Sequence, residues 1–300
     1  MDRIKSLPNL LIVGAAKSGT TSLHNYLSQH SDIFMCNPKE PHYLINKEIG
    51  INRIKIGISD FEQYKTLFAK GLSYKYRGES SVMYLMYPEI VIPKIKKLLG
   101  DQTRIIIMLR NPVDRAFSGF QHVKRFNIDE NKIDFNSAWD ICEERYWQNM
   151  HVTPASRYKQ LGLYFRQVKS YLESLEHVHI VIYDDFKKDF QLEMNKIFNF
   201  LNVDLMKVNN SMQHMVGGWE WKNNQAKRIM MRPNLLKSLI KKLIPSSKFR
   251  RVIRSFIIKS QSVEIKNMNR ETREMLNEFY KEDVSKLSRL LNRNLNHWTK

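Results

Sequence analysis

"GAAKSGTTS", residues 14–22, follows directly on the apolar run "NLLIV" at 9–13. A phosphate-binding P-loop places two glycines four residues apart and follows the second at once with Lys and Ser/Thr. Gly14 and Gly19 keep that separation, but Thr20 and Thr21 stand where Lys-Ser/Thr is due, and Lys17 lies before the second glycine. A strand, a glycine loop and a helix in this order make an anion site, because backbone N–H groups at the helix N-terminus are free to bind. Ser18, Thr20, Thr21 and Ser22 add hydroxyls, and Lys17 adds a mobile positive charge. Ordinary turn chemistry explains a glycine pair alone equally well. The lysine and the hydroxyl cluster point to a phosphate-bearing ligand.

The same alternation recurs along the chain. "RIIIMLR" (104–110) precedes the helical pattern "PVDRAFSGFQHVKR" (112–125), and "HVHIVIY" (177–183) precedes "DFQLEMNKIFNFLNV" (189–203). Continuous apolar runs are the mark of parallel strands buried on both faces, with helices as crossovers. A weaker strand is expected at "YKYRGES" (74–80). Pro112 suits the first turn of a helix, so the preceding strand is expected to end at Arg110. Tyr158, Leu161, Tyr164, Phe165, Val168, Tyr171 and Leu172 recur at spacings of three and four and predict one helical face across 156–175. A long amphipathic helix is expected over 269–291, starting at Asn269. No internal repeat or low-complexity linker divides the chain, so a single domain spanning 1–300 is expected, with a helical, basic region at about 220–300 packed on it.

A chain of 300 residues with 42% hydrophobic content can bury one sizeable core. Cys36 and Cys142 have no ligand or CxxC spacing, which argues against a disulfide framework or a zinc site and fits a cytoplasmic setting. The apolar run near the start is too short for a signal-peptide core, and no run is long enough to predict a transmembrane helix. Lys and Arg number 49 against 30 Asp and Glu, a net charge of +19 that favours anionic partners. The excess is concentrated between Glu220 and Glu264, where no acidic residue occurs. "PNLLKSLIKKLIPSSKFRRVIRSFIIK" (233–259) sets Leu235, Leu239, Ile240 and Leu243 apart from Lys237, Lys241 and Lys242. Such a pattern serves packing on a core with a solvated basic face, or peripheral contact with an anionic membrane.

"LLIVGAAKSGTTSL" (10–23) resembles the 5′-phosphosulfate loop of sulfotransferases that use 3′-phosphoadenosine 5′-phosphosulfate (PAPS). "RIIIMLRNPVDRAFSGF" (104–120) resembles their 3′-phosphate motif, a strand ending in Arg-Asn-Pro with a serine eight residues after the arginine. "KEPHYL" (39–44) and "FYKEDVSKLSRLLNRNLNHW" (279–298) also look like this family, so the resemblance spans nearly the whole chain. It implies an α/β, P-loop NTPase-like three-layer fold with a central parallel sheet flanked by helices, PAPS as donor and no metal requirement. Lys17 would reach the phosphosulfate bridge, and Ser18, Gly19, Thr20, Thr21 and Ser22 would hold the 5′-phosphate. Arg110 and Ser118 would clamp the 3′-phosphate, for which a planar guanidinium fork is suited. Tyr158 and Lys222 are placed among the further donor contacts, and Trp219 or Trp221 would flank the adenine or the acceptor.

Sulfuryl transfer requires positioned reactants, charge neutralisation on the leaving phosphate and removal of one proton. Lys17 would neutralise the leaving group. Glu40 corresponds by motif to the glutamate that deprotonates the acceptor hydroxyl in related glycan sulfotransferases, and Lys39 would assist. His42 is the rival base, with an ordinary pKa near 6.5. A solvated loop charge at Glu40 and a packed imidazole at His42 are the plainer readings of the same residues. His122 is expected on the helix surface.

Two features depart from the family pattern. The Glu-Lys-Ser/Thr-Pro segment is here "GESSV" (78–82), with Ser80 at the lysine position and Val82 at the proline position. The late basic loop has only a loose counterpart in "GGWEWKNNQAKR" (217–228). A carbohydrate or glycolipid acceptor is implied, read by segments 43–60, 126–157 and 205–260, with nucleic acid not expected as a partner. A P-loop nucleotide kinase or NTPase and a non-catalytic polyanion-binding protein are the alternatives.

Overall fold

The computed structural model describes residues 6–126, 134–211, 219–231, 256–258, 260–264 and 267–300. Strands β1 (Leu10–Gly14), β2 (Ile33–Met35), β3 (Tyr76–Ser80), β4 (Arg104–Leu109) and β5 (Val178–Ile182) form one sheet in the order β2-β3-β1-β4-β5. Every pairing is parallel. The four expected runs are strands, and the three-residue edge strand β2 is too short to leave a pattern in sequence. β4 ends at Leu109, one residue earlier than expected, which leaves Arg110 in the loop.

Seven helices matter for the site: α1 (Thr20–Leu27), α2 (Tyr43–Ile49), α3 (Pro88–Lys94), α4 (Pro112–Phe126), α5 (Tyr164–Ser174), α6 (Phe190–Leu201) and α7 (Arg270–Leu290). Side chains alternate across a strand, so each apolar run feeds two cores. Leu11, Val13, Ile105, Ile107 and Leu109 face α3, α4, α5 and α7, where they meet Val91, Ala116, Val168 and Tyr280. Leu10, Ile12, Ile106 and Met108 face α1 and α6, where they meet Leu23, Leu27, Ile197 and Phe198. The result is a three-layer α/β fold. Full burial of each such side chain contributes about 1.5–3 kcal/mol.

The helix expected across 156–175 is shorter than its pattern. Tyr158 precedes a single turn at Gln160–Gly162, and α5 begins only at Tyr164. The cause lies on another element: the Asp283 carboxylate of α7 accepts from the N–H groups of Tyr164 at 2.8 Å and Phe165 at 3.2 Å, capping α5 there. Gly162 is pressed against the buried Tyr280 ring, whose hydroxyl donates to the Tyr158 carbonyl at 2.9 Å. α7 itself starts as expected, with the Asn269 side chain accepting from the Thr272 N–H.

Beyond α7, Trp298 is buried and returns to the sheet edge. Its carbonyl accepts from the Asn111 amide at 3.0 Å, while the Asn111 side-chain oxygen accepts from the Val113 N–H at 2.9 Å and so caps α4. A small two-stranded antiparallel sheet, β6 (Trp219–Trp221) with β7 (Ser262–Glu264), was not signalled by sequence. Most of the basic stretch 233–259 lies outside the described residues, so its expected helices are not described. Among the described residues no helix is long and apolar enough to cross a membrane.

A Cβ at Gly162 would lie 2.6 Å from the Tyr280 hydroxyl oxygen, which is bonded in place. Gly162→Ala is therefore expected to lower unfolding free energy by about 1–3 kcal/mol in urea titrations. Gly119→Ala is the control: its Cβ would meet nothing closer than 3.6 Å. Replacing a mid-helix glycine should there stabilise by about 0.5–1 kcal/mol.

Candidate active site

Because β1 and β4 are neighbours, the loops that follow them leave the sheet edge side by side. Gly19 is the N-cap of α1 at φ 95°, and a Cβ there would come within 3.1 Å of Met108 and Tyr183, so glycine is required on both counts. No side chain caps α1, which leaves the first-turn N–H groups of Thr20, Thr21 and Ser22 and the positive helix end available to an anion. The Lys17 carbonyl accepts from Arg110 Nη1 at 3.3 Å, tying the two loops together. Arg110 lies over the Tyr183 ring at 5.3 Å. Ser18 is fully buried beside Tyr164, whose hydroxyl donates to the Arg110 carbonyl at 3.0 Å. Ser118 is half-buried on α4.

One helical turn beyond Ser118, His122 Nδ1 lies 3.4 Å from Lys17 Nζ. His122 is thus at the loop and not on the free helix surface expected of it. Burial, then the charges of Lys17 and Arg125, push its pKa down to about 4, so a neutral ring accepts from the Lys17 ammonium. Burial and next Arg125, with Arg110 and Lys39 adding and Glu40 opposing, push Lys17 down to about 8. Three further cations and one carboxylate therefore act on Lys17. Crowding of this kind is costly without an anion and fits a ligand with several negative charges, as a phosphosulfate nucleotide has.

The segment bearing Glu40 runs beside the end of β3, its N–H donating to the Ser80 carbonyl at 3.1 Å. Glu40 Oε1 is 2.6 Å from Lys39 Nζ and Oε2 is 3.5 Å from His42 Nε2. Burial works against its charge, but the hydrogen bond from His42 and the charge and hydrogen bond of Lys39 outweigh it. The carboxyl is held well below the usual range. Its side chain remains 30% exposed and so open to an acceptor. His42 is buried, and its Nδ1 has no hydrogen-bond partner. Lys17, Glu40 and His42 all hold positive φ, at 69°, 65° and 51°. Non-glycine residues rarely adopt that region, and such strain gathers where geometry serves function.

Ser80, at the family's lysine position, is buried and hydrogen-bonded to His24 Nδ1 at 2.8 Å. Burial and then the charge of Lys39 push His24 down to about 4. Next along β3, Glu79 is fully buried and accepts from Tyr64, Tyr84 and Ser81 hydroxyls; burial pushes it up to about 7 against those bonds.

Of two further expected donor contacts, one is enclosed in the core and one is exposed. Tyr158 is fully buried, its ring 6.0 Å from Phe120 and edge-on to it, and it supports α4 from within the core. Lys222, just past β6, is exposed, its N–H paired with the Gln261 carbonyl at 2.7 Å. Strand β6 engages Arg125: the guanidinium lies 4.4 Å over Trp219 and donates to its carbonyl, and Trp221 Nε1 donates to the Arg125 carbonyl at 3.1 Å. His122 and Arg125 stand four and seven positions after Ser118, and that helical spacing is the signal that could have found them.

Comparison with known proteins bears on this arrangement. The family model described as Sulfotransferase domain matches residues 7–288. Human carbohydrate sulfotransferase 15 is 24% identical over 250 residues, covering 67% of this chain and 45% of that protein. The bifunctional heparan sulfate N-deacetylase/N-sulfotransferase 1 of Caenorhabditis elegans is 28% identical over 201 residues, 66% of this chain and 22% of that protein. The chain thus spans less than half the length of these relatives. The crystal structure of a sulfotransferase from Alicyclobacillus acidocaldarius superposes with a TM-score of 0.72 at 29% identity, over 98% of this chain and 99% of that one. With a nucleotide-type loop, a cation cluster and a paired carboxylate on one sheet edge, the chain belongs to the sulfotransferase domain family.

Proposed function

We propose that this chain transfers a sulfuryl group from PAPS to a hydroxyl of a carbohydrate or glycolipid. The observation that carries the reading is geometric: the Lys17 loop is tied to Arg110 by a 3.3 Å hydrogen bond, and the Lys39–Glu40 pair lies along the end of the neighbouring strand β3. The relatives named for carbohydrate and heparan sulfate chemistry support the acceptor class. A nucleotide kinase is disfavoured, since Thr20 occupies the P-loop lysine position. The chain is taken as one domain, because Tyr280 and Val284 of α7 share a core cluster with β1 and β4.

In this reading the α1 N-terminus with Gly19, Thr20, Thr21 and Ser22 holds the 5′-phosphate, and Arg110 and Ser118 hold the 3′-phosphate. The donor supplies the sulfuryl group. The acceptor oxygen bonds to sulfur as the bond from sulfur to the phosphate oxygen breaks; Glu40 takes the acceptor's proton, and Lys17 meets the charge left on the phosphate. His122 aims Lys17. A carboxylate held as low as Glu40 is a weak base at rest, and release of Lys39 toward the sulfuryl oxygens raises its basicity.

Transfer of labelled sulfate from PAPS to a panel of glycans and glycolipids tests the activity and the acceptor together. Failure of 3′-phosphoadenosine 5′-phosphate (PAP) to bind or to raise the melting temperature would overturn the donor assignment. Lys17→Ala and Arg110→Ala should each weaken PAP binding by roughly 10- to 100-fold, the worth of a charge-assisted contact. Glu40→Gln should leave PAP affinity intact and cut turnover by about 10²–10⁴-fold. Retained activity in that variant would pass the base role to His42.

The pH dependence has a definite sign. Lys17 is charged below about 8 and loses its proton above it. Anion binding favours the charged form, so PAP affinity by calorimetry should fall as pH rises beyond about 8, by up to roughly tenfold per pH unit. Lys17→Arg, charged throughout, should flatten that profile.

A further inference from the structure

The chain from Lys39 to Leu44 carries both candidate bases, yet Glu40 and His42 sit in a backbone region that L-residues avoid. Something must hold them there. Two side-chain hydroxyls accept N–H groups of this segment: Ser81 Oγ from His42 at 3.0 Å, and the Tyr84 hydroxyl from Leu44 at 3.1 Å. Each hydroxyl has a single proton. Ser81 gives its own to Glu79 Oε2 at 3.1 Å, and Tyr84 gives its own to Glu79 Oε1 at 3.1 Å. Tyr64 also donates to Oε1, at 2.8 Å.

Glu79 is fully buried, and among the described residues its oxygens meet hydroxyls and no cation. An unpaired buried carboxyl is expensive, and an apolar side chain could fill the volume at lower cost. What a carboxylate offers, once ionised above its raised pKa of about 7, is two acceptor oxygens. With both hydroxyl protons drawn to it, the lone pairs of Ser81 and Tyr84 turn toward the backbone of the Glu40 segment. Ser81 is anchored in turn, its N–H donating to the Ile12 carbonyl of β1 at 3.1 Å.

We propose that Glu79 is a positioning residue for the transfer reaction: through Ser81 and Tyr84 it holds the Glu40–Leu44 backbone in register with the loop that bears Lys17. The proposal rests on the reading of Glu40 or His42 as the base, and it concerns aim, not proton transfer by Glu79 itself. It differs from a general packing role in predicting which arm fails. In Glu79→Gln the amide keeps one acceptor oxygen, which two tyrosines require, so its NH₂ faces Ser81. Ser81 then loses its proton acceptor, and the bond to the His42 N–H weakens while that to Leu44 persists.

The test is amide hydrogen exchange resolved to single residues, with PAP binding and steady-state kinetics on the same proteins. Glu79→Gln should speed exchange at His42 by about tenfold and leave Leu44 nearly unchanged; Tyr84→Phe should do the reverse. PAP affinity should stay within about twofold for both. With the acceptor found by the panel, kcat should fall by roughly 10- to 100-fold with the KM for PAPS little changed, the scale of a misaimed reacting group. Ser81→Ala should reproduce the His42 signature and serves if Glu79→Gln does not fold.

Unchanged exchange at His42 in both Glu79→Gln and Ser81→Ala would overturn the proposal, as would full kcat in Glu79→Gln alongside an inactive Glu40→Gln. Equal loss of protection across the sheet, with PAP affinity falling in step, would also overturn it and leave Glu79 a packing residue. Activity retained in both Glu40→Gln and a His42→Ala variant would instead refute the base assignment. The exchange data on the Glu79 arms would still stand.

Discussion

Strand β1 is bonded to β3 on one side and to β4 on the other, and that pairing decides which loops can meet. The loop after β1 brings Lys17, the loop after β4 brings Arg110, and the end of β3 carries Glu79 and the backbone rail along which Glu40 lies. None of these side chains is near another in sequence. Their proximity is a property of strand order, and ligands in open α/β sheets gather at such reversals of order.

Charge then sharpens what topology brings together. Lys17 is surrounded by Arg110, Arg125 and Lys39, and Glu40 opposes them. Burial raises the cost of that repulsion, since a low local dielectric strengthens every charge interaction. A multiply charged anion relieves the crowding at once, so the resting electrostatics favour the donor before any shape complementarity is considered. Glu40 experiences the opposite sign: the hydrogen bond from His42 and the charge of Lys39 keep its carboxylate charged and weakly basic.

Much of the fold was legible because apolar runs, proline and asparagine act locally. "RIIIMLR" read as a buried strand, Pro112 as a helix start and Asn269 as a cap, and each holds because its cause lies within a few residues. The site was legible where its residues cluster in one loop, as Gly19 to Ser22 do. Tyr158 shows the limit: its spacing fits a helix, but Asp283, on a distant helix, sets where α5 begins. His122 was readable as one turn from Ser118, yet its meeting with Lys17 depends on the β1–β4 pairing. Glu79 was beyond reach, since its meaning depends on the directions of three hydroxyl protons.

The contact between Asn111 and Trp298 joins positions separated by 187 residues. Asn111 caps α4, the helix that carries Ser118, His122 and Arg125, and it follows Arg110 directly. A growing chain therefore completes both loop motifs long before the partner that steadies the helix after the second of them has been synthesised. Closing so long a loop comes late and slowly.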